Sequence, residues 1–248
     1  MVTFLSMRVA LISDLHGNAV ALDAVLRDIA RVGVDRTVCL GDTATLGPAP
    51  LAVLSRLRDL AIPCIEGNHD AFLLEPELVR SYTEAPPIIA AVDWCRNELP
   101  SWAIDFVRGF LPGLDLDLGG GATLKLFHGT PRSHMEDLLA TTPPEQLEEM
   151  LGGQHATVMA GGHTHIQMLR QHRGTLIVNA GSVGAPFKEF VDHKPPTILA
   201  HAEYATVEAN AGGVQVTLRR VDVDRRALWT AANSSSNPLG PMLAQNYV

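Results

Sequence analysis

The first third of the chain alternates short apolar runs with amphipathic stretches, and this alternation constrains the fold more than any other feature. Residues 8–12 have the length of a strand, residues 19–32 carry apolar side chains at helical spacing, and residues 34–40 form a second apolar run. A strand, a helix and a strand in succession form a crossover unit with parallel strands. We therefore predict an α/β fold, with Asn18 as the N-cap of the helix and Gly33 as its end.

A second helix, at residues 51–60, and a third apolar run, at residues 62–65, extend the pattern. Polar residues follow each of the three runs: Asp14 and His16, then Asp42, then Gly67-Asn68-His69-Asp70. Open α/β sheets bind ligands beyond the carboxyl ends of their strands. We therefore expect these side chains to lie close together.

The remaining pattern predicts further helices and strands. Residues 71–109 are predicted to be mainly helical with a break at Pro86-Pro87, and their aromatic residues are assigned to packing rather than to base stacking: Trp94, Trp102 and Phe106. Alternating or apolar runs predict strands, the first two and the last two as hairpins, at 114–118, 122–127, 157–160, 175–178, 197–207 and 214–223.

A chain of 248 residues is long enough for one large domain, which we place at residues 7–230. Residues 1–6 are interpreted as an extension, and residues 231–248, rich in Asn, Ser, Gly and Pro, as a loosely ordered tail. The sequence contains neither a run of roughly 18 apolar residues nor a secretory signal pattern. These features predict a cytoplasmic protein that does not cross a membrane, and they leave its oligomeric state open.

Net charge and cysteine content limit the classes of ligand and the cysteine roles that we expect. The formal net charge of −8 disfavours binding to long nucleic acids, which depends on Lys and Arg neutralising phosphates. A small phosphorylated substrate remains compatible with this charge, because bound cations supply positive charge locally. The three cysteines, Cys39, Cys64 and Cys95, show no metal-binding or disulfide spacing and are predicted to be reduced.

Seven candidate metal ligands follow apolar runs, each beside a glycine or a turn: Asp14, His16, Asp42, Asn68, His128, His163 and His165. A mixed set of oxygen and imidazole ligands suits Mn, Fe, Zn, Co or Ni. Seven ligands are too many for one tetrahedral ion, but they suit two ions that share a bridging carboxylate. His163 and His165 are two residues apart, so in an extended segment they point the same way.

The order of these motifs resembles that of the calcineurin-like metallophosphoesterases: Asp14-x-His16, Gly41-Asp42, Gly67-Asn68-His69-Asp70, His128 and Gly162-His163-x-His165. Residues 13–18, 128–132 and 179–184 resemble the small prokaryotic phosphodiesterase branch of that superfamily. The resemblance covers residues 7–223. It implies an α/β fold in which two sheets form a sandwich flanked by helices, a four-layer αββα arrangement with the site at the carboxyl ends of the strands.

The resemblance also implies two divalent transition-metal ions, for which we expect Mn first and Fe, Zn, Ni or Co as alternatives. One ion would be held by Asp14, His16 and His165, the other by Asn68, His128 and His163, and Asp42 would bridge them. A bridging hydroxide would then attack phosphorus in line with the leaving oxygen. His69 would stabilise the transition state or protonate the leaving group, and Asp70 would orient its ring.

The predicted function is hydrolysis of a small phosphodiester, such as a nucleotide derivative. Ser/Thr protein phosphatases of this superfamily carry Asp-Arg-Gly soon after the bridging aspartate, whereas here Asp42 is followed by Thr43-Ala44-Thr45. The alternatives are a phosphomonoesterase on the same scaffold and a non-catalytic binding protein. Asn18 and Arg132 are candidate substrate contacts, although Arg132 could instead form a salt bridge with Glu136.

Overall fold

The structure is a computed structural model that describes residues 7–191 and 194–247, so the predicted extension at residues 1–6 lies outside it. No helix within these ranges is long and apolar enough to cross a membrane. The strands are β1 (Met7–Ile12), β2 (Arg36–Cys39), β3 (Leu114–Gly119), β4 (Ala122–Leu126), β5 (Val158–Gly161), β6 (Met168–His172), β7 (Thr175–Asn179), β8 (His201–Asn210) and β9 (Gly213–Asp222). The helices are α1 (Ala19–Val32), α2 (Pro50–Asp59), α3 (Asn68–Leu74), α4 (Glu77–Tyr82), α5 (Pro86–Glu98), α6 (Ser101–Arg108), α7 (Pro144–Leu151), α8 (Arg225–Ser234) and α9 (Gly240–Asn246).

Two sheets form the centre of the molecule, one in the order β2-β1-β8-β9 and the other in the order β3-β4-β5-β7-β6. Val9 and Leu11 of β1 belong to one apolar cluster with residues of β4, β5 and β7 from the other sheet. Ala10 and Ile12 belong instead to a cluster that includes residues of α1, α8 and α9. Because β1 is buried on both faces, its sequence is apolar without alternation.

Helices cover the outer face of each sheet. The second sheet is covered by α7, whose Leu147 and Leu151 cluster with Phe127, Met159 and Ile177. The predicted α/β architecture of two sheets flanked by helices is therefore confirmed.

Helix α1 begins and ends as the sequence predicts. The Asn18 side chain accepts a hydrogen bond from the backbone N–H of Ala21, 3.1 Å away, and so caps the helix. Gly33 follows the helix with a φ of 74°, in the left-handed region that favours glycine. The crossover leaves β1 and β2 parallel, as expected for this unit.

The structure differs from the prediction at the third apolar run. Residues 62–65 make isolated parallel bridges, Cys39 with Cys64 and Ile65 with Leu111, rather than a full strand. The neighbour of β1 on its other side is β8, which runs antiparallel. The first sheet is therefore mixed, because a strand from the end of the chain takes the position next to β1.

The helical region and the hairpins agree with the sequence. Helices α3 to α6 occupy residues 68–108, and α5 begins at the predicted Pro86-Pro87 break. Trp94, Trp102 and Phe106 pack against an apolar cluster of these helices and α2. The pairs β3–β4 and β8–β9 are antiparallel. All three cysteines are buried and free.

The C-terminal segment contradicts the prediction of a loosely ordered tail. The predicted boundary after residue 230 falls inside α8, and α9 follows it. Leu239, Leu243 and Tyr247 are buried in the apolar cluster that also contains α1. The polar residues 235–238 lie in the turn between the two helices, whereas apolar side chains on either side of the turn pack against the core.

Candidate metal centre

The loops that follow β1, β2, β4 and β5 meet at one end of the sandwich, where the start of α3 joins them. They bring together all seven candidate ligands: Asp14, His16, Asp42, Asn68, His128, His163 and His165. Each of these residues is at most 8 % exposed. Seven polar side chains therefore share one buried region, although 151 positions separate the first from the last.

Asp14, His16 and His165 form one group, in which potential ligand atoms lie within 4.8 Å of one another. The Nε2 atoms of His16 and His165 are 3.0 Å apart. Asp14 Oδ1 lies 3.3 Å from His165 Nε2. These three side chains point at one another and could hold one cation.

Asp42, His128 and His163 form the second group, in which potential ligand atoms also lie within 4.8 Å of one another. Asn68 belongs with them, because its Oδ1 lies 3.1 Å from His128 Nε2 and 3.0 Å from His163 Nδ1. An amide oxygen, a carboxylate and two imidazoles are suitable ligands for a divalent transition metal. This group could hold a second cation.

The Asp42 carboxylate lies between the groups. Its Oδ1 is 3.5 Å from His128 Nε2, and its Oδ2 is 3.7 Å from His16 Nε2. The two oxygens therefore face different groups, as a bridging carboxylate requires.

The backbone at the site is held in an unfavourable conformation. Five of the seven residues have positive φ angles: Asp14 (53°), His16 (42°), Asp42 (56°), His163 (70°) and His165 (58°). Non-glycine residues in this region each cost on the order of 1 kcal/mol or more and occur mainly at functional sites. The concentration of such angles supports a functional interpretation of these loops.

Close packing explains two glycines of the motifs. A Cβ atom at Gly67 would collide with the Asp42 carboxylate, and one at Gly162 with the Ser13 and Asp14 side chains. The segment 179–184 supports the same loops, because the Ser182 hydroxyl donates to the Asp14 carbonyl at 2.7 Å. These contacts set the positions of Asp14 and Asp42.

Hydrogen bonds on the far side of two histidine rings aim the rings into the site. Nδ1 of His128 donates to the carbonyl of Leu40 at 2.7 Å, and Nδ1 of His165 donates to that of Ala185 at 2.7 Å. Each ring thereby presents Nε2 to the centre, as metal-bound histidines do. Asp14 Oδ1 is buried and has no hydrogen-bond donor among the described residues. A bound cation would satisfy this oxygen, so the residues present fit a metal.

The electrostatics favour two ionised carboxylates. Burial alone would raise the pKa of the Asp14 carboxyl, but the adjacent His165 lowers it to about 2. Burial would also raise the pKa of Asp42, which His128 and His69 hold well below its ordinary value. Burial would lower the pKa of the His128 ring, and Asp42 raises it to about 9. The buried negative charge is therefore balanced by protons on the imidazoles or by bound cations.

His69 lies beside the seven residues without joining either group. Its ring packs edge to face on the His16 ring with 5.1 Å between centroids, and its Nδ1 has no described hydrogen-bond partner. Burial lowers the pKa of His69 to about 4, so the ring is neutral at neutral pH. The ring is available to a ligand.

Asp70 does not orient His69, contrary to the prediction. Its two carboxylate oxygens accept hydrogen bonds from the backbone N–H groups of Asp42, Thr43 and Gly67, and from the Thr43 hydroxyl. Consecutive residues of a helix point in directions about 100° apart, so these neighbours on α3 face different surroundings. Asp70 instead fixes the loop that carries Asp42.

The two candidate substrate contacts have structural partners. The Asn18 amide nitrogen donates to the Gly184 carbonyl at 2.9 Å, in addition to the helix cap made by its oxygen, although Asn18 also lines the cavity described below. Arg132 forms a salt bridge with Glu136 at 2.7 Å and another with Glu149, and it does not line that cavity. The salt-bridge alternative for Arg132 is therefore the one present in the structure.

Two features of the site were not identified from the sequence. Asp137 Oδ1 lies 3.3 Å from His163 Nε2, on the side of the ring opposite Asn68, where it can orient the imidazole. The second feature is a cavity of about 220 Å³, lined on one side by His16, Asp42 and His69 and on the other by apolar residues that include Leu243 of α9. Asp137 lies in a loop with no distinctive spacing, so no local signal identified it.

Comparison with known proteins agrees with the fold. A family model described as the calcineurin-like phosphoesterase superfamily domain matches residues 7–205. The uncharacterized protein MJ0912 of Methanocaldococcus jannaschii is 27 % identical over 175 residues, which cover 71 % of this chain and 69 % of that protein.

Two solved structures are similar along nearly the whole chain. The metallophosphoesterase of Sphaerobacter thermophilus has a TM-score of 0.72 and 25 % identity, covering 97 % of this chain and 99 % of the other. The hypothetical protein PH1004 of Pyrococcus horikoshii has a TM-score of 0.79 and 17 % identity, covering 96 % of each chain. The family match includes every strand-end motif of the site, and the chain belongs to the calcineurin-like phosphoesterase superfamily.

Proposed function

We propose that this protein is a dinuclear metal-dependent phosphodiesterase that hydrolyses a small phosphodiester in the cytoplasm. The position of Asp42 carries the proposal, because its two carboxylate oxygens face two separate groups of ligands. Asp14, His16 and His165 would hold one ion, and Asn68, His128 and His163 the other. We expect Mn²⁺ first among the transition metals that such ligands accept.

When bound by these residues, two ions would neutralise charge on the phosphate oxygens and acidify a water molecule. The residues of the chain hold the ions and exclude bulk water, since all seven proposed ligands are buried. His69 would act on the ester itself. As a neutral imidazole lining the cavity, it can donate a hydrogen bond to the phosphate oxygens or to the leaving oxygen.

A diester is favoured over a monoester by the charge of the cavity. A phosphate monoester is largely a dianion at neutral pH, whereas a diester carries a single negative charge. Among the described residues that line the cavity there is neither Lys nor Arg. A monoester would therefore depend on the two ions alone for charge compensation, which makes the diester the better match. Phosphomonoesterase activity remains the second candidate, because the ions themselves do not distinguish the two substrates.

The test compares kcat/KM for bis(4-nitrophenyl) phosphate and 4-nitrophenyl phosphate, using chelator-stripped protein resupplied with Mn²⁺. We expect a preference for the diester of tenfold or more, about 1.4 kcal/mol of transition-state discrimination. Parallel samples resupplied with Fe²⁺, Zn²⁺, Ni²⁺ or Co²⁺ identify the preferred metal. A preference for the monoester would contradict the proposal, and inactivity with both ions bound would favour a non-catalytic binding protein.

A further inference from the structure

The cavity that contains the candidate metal ligands is also lined by apolar residues, several of them from α9 and the residues that flank it. Leu239, Met242, Leu243 and Tyr247 line it from the C-terminal segment. Ile88 of α5 and Ile198, which precedes β8, line it from elsewhere in the chain. We call this apolar side, defined by these six residues, the α9 chamber.

The α9 chamber is attached to the loop that carries Asp42. Asn237, just before α9, is buried, and its side-chain amide donates to the carbonyls of Leu46 and Gly47 at 3.0 and 2.7 Å. Its Oδ1 accepts from the backbone N–H of Leu239 at 2.8 Å. Leu46 and Gly47 also line the cavity. The position of the α9 chamber is therefore tied to that of the part of the cavity lined by His16, Asp42 and His69, which we call the metal side.

Charge defines what the chamber can accept. The lining residues that the structure describes include no Lys or Arg, and the polar groups among them are mostly those of the metal side. Placing an unpaired charge against an apolar wall is strongly unfavourable. A carboxylate or a second phosphate on the substrate would find no Lys or Arg there to balance its charge, whereas an uncharged apolar group would gain from being removed from water.

Volume limits how large a group the cavity can enclose. The cavity holds about 220 Å³, including the part next to the metal side. An apolar protein cavity of about 150 Å³ binds one benzene molecule. The space therefore suits a phosphoryl group together with a single aromatic ring or a short alkyl chain, and it is too small to enclose a dinucleotide.

Resting on the proposed phosphodiesterase activity, we propose that the substrate carries an uncharged apolar group of about one aromatic ring, and that this group lies in the α9 chamber. The substrate class is thus an aryl or short-chain alkyl phosphodiester rather than a nucleoside polyphosphate. The metal side would bind the phosphate, and the chamber would select the organic group.

A matched pair of substrates tests this selection with the metal-loaded wild-type protein. 4-Nitrophenyl phenyl phosphate and 4-nitrophenyl 4-carboxyphenyl phosphate release the same leaving group and differ by one carboxylate. We expect kcat/KM to be at least tenfold higher for the phenyl diester. Calorimetric titration with phenylphosphonate and 4-carboxyphenylphosphonate tests the same preference as binding, without hydrolysis, and should give a Kd at least tenfold lower for the phenyl compound.

Variants at Met242 test whether α9 is the selecting wall. Met242 is half-buried and lines the chamber, whereas Gln245 is exposed on the same helix and does not line it. Met242→Glu should lower kcat/KM for the phenyl diester about tenfold, and Met242→Lys should reduce the phenyl-to-carboxyphenyl ratio about tenfold. Gln245→Glu adds the same negative charge as Met242→Glu, but outside the chamber. It should change neither kcat/KM for the phenyl diester nor the phenyl-to-carboxyphenyl ratio. Thermal unfolding shows whether each variant is folded, and the wild-type comparisons hold independently of the variants.

The outcomes separate the two proposals. If neither diester is hydrolysed with both metals bound, the proposed phosphodiesterase function fails, and equal phosphonate affinities would also remove the chamber as an apolar subsite. If both diesters are hydrolysed with similar kcat/KM, the proposed function stands and the inference about the α9 chamber is wrong. An unchanged ratio in folded Met242→Lys would likewise contradict the assignment of the chamber to the organic group.

Discussion

The cavity has two walls, the metal side and the α9 chamber. They come from different parts of the chain, carry different side chains and differ in how readily the sequence predicts them. The metal side comes from loops after strands in the first 165 residues, and its side chains are carboxylates, amides and imidazoles. The α9 chamber comes mostly from the last ten residues and is apolar. Clustered polar residues after apolar runs are difficult to explain by packing alone, whereas apolar residues on a helix are compatible with any core. Candidate ligand residues can therefore be predicted from local sequence patterns, whereas the shape of the cavity cannot.

The two walls also differ in how they are held. The metal side depends on left-handed backbone angles and on glycines that allow close approach, such as Gly67 beside Asp42. The α9 chamber depends on side-chain burial and on the amide of Asn237. Substitutions on the metal side should therefore affect metal binding and kcat, and substitutions behind the chamber should affect stability and KM.

The largest effect is expected from removing the charge between the two groups of ligands. Asp42→Asn should lower kcat/KM on the order of 10⁴-fold, since metal ions contribute several kcal/mol of charge stabilisation and both would lose a shared anionic ligand. Metal analysis should find fewer than two ions per chain. Asp59→Asn removes the same charge at an exposed position and should keep two ions and full activity. Two tightly bound ions and normal activity in Asp42→Asn would contradict its bridging role.

His69 tests whether one residue of the metal side acts on the ester rather than on the metals. His69→Ala should lower kcat by about 10²–10⁴, the range for lost acid–base or electrostatic catalysis, while both ions stay bound. His155→Ala provides a control, because His155 is exposed and does not line the cavity. A fall in the metal content of His69→Ala would make His69 a ligand and overturn this division of roles.

A substitution at Asp137 should perturb the metal side less than one at Asp42 or His69. Asp137→Asn should weaken binding of the second metal ion about tenfold, the lower end of the range for groups that orient a ligand, because Asp137 is half exposed. Calorimetric titration of the chelator-stripped protein with Mn²⁺ measures this affinity. Asp117→Asn, an exposed substitution in β3, is the matched control. Unchanged affinity would show that the contact with His163 does not contribute to metal binding.

A substitution at Asn237 tests how the α9 chamber is attached to the loop that carries Asp42. Asn237→Ala removes buried hydrogen bonds to two carbonyls and should lower the free energy of unfolding by about 1–3 kcal/mol. KM for the phenyl diester should rise by a few fold with metal content unchanged. Asn233→Ala, at an exposed position of α8, should have little effect on either value. A fall in kcat with KM unchanged would show that Asn237 supports the metal side rather than the α9 chamber.

The differences between prediction and structure have specific physical causes. Residues 62–65 are apolar enough for a strand, but they reach the first sheet only at Cys39, where β2 ends, so they form a single bridge there rather than a ladder. Asp70 follows His69 directly, yet helical geometry turns its carboxylate towards the backbone of the Asp42 loop. The polar composition near residue 235 concealed two helices, because a turn between packed helices has the same composition as a flexible end.

Local sequence patterns were enough to predict the crossover unit, the helices that follow it, the hairpins and the set of residues that converge at the metal side. These features depend on local periodicity and on polar residues at strand ends, which neighbouring positions reveal. Four features emerged only from the folded chain: the mixed order of the first sheet, the backbone partners of Asp70, the contact of Asp137 with His163 and the α9 chamber. Each of these depends on pairs of residues distant in the chain, and the packing energy that selects such pairs has no signature in either segment alone.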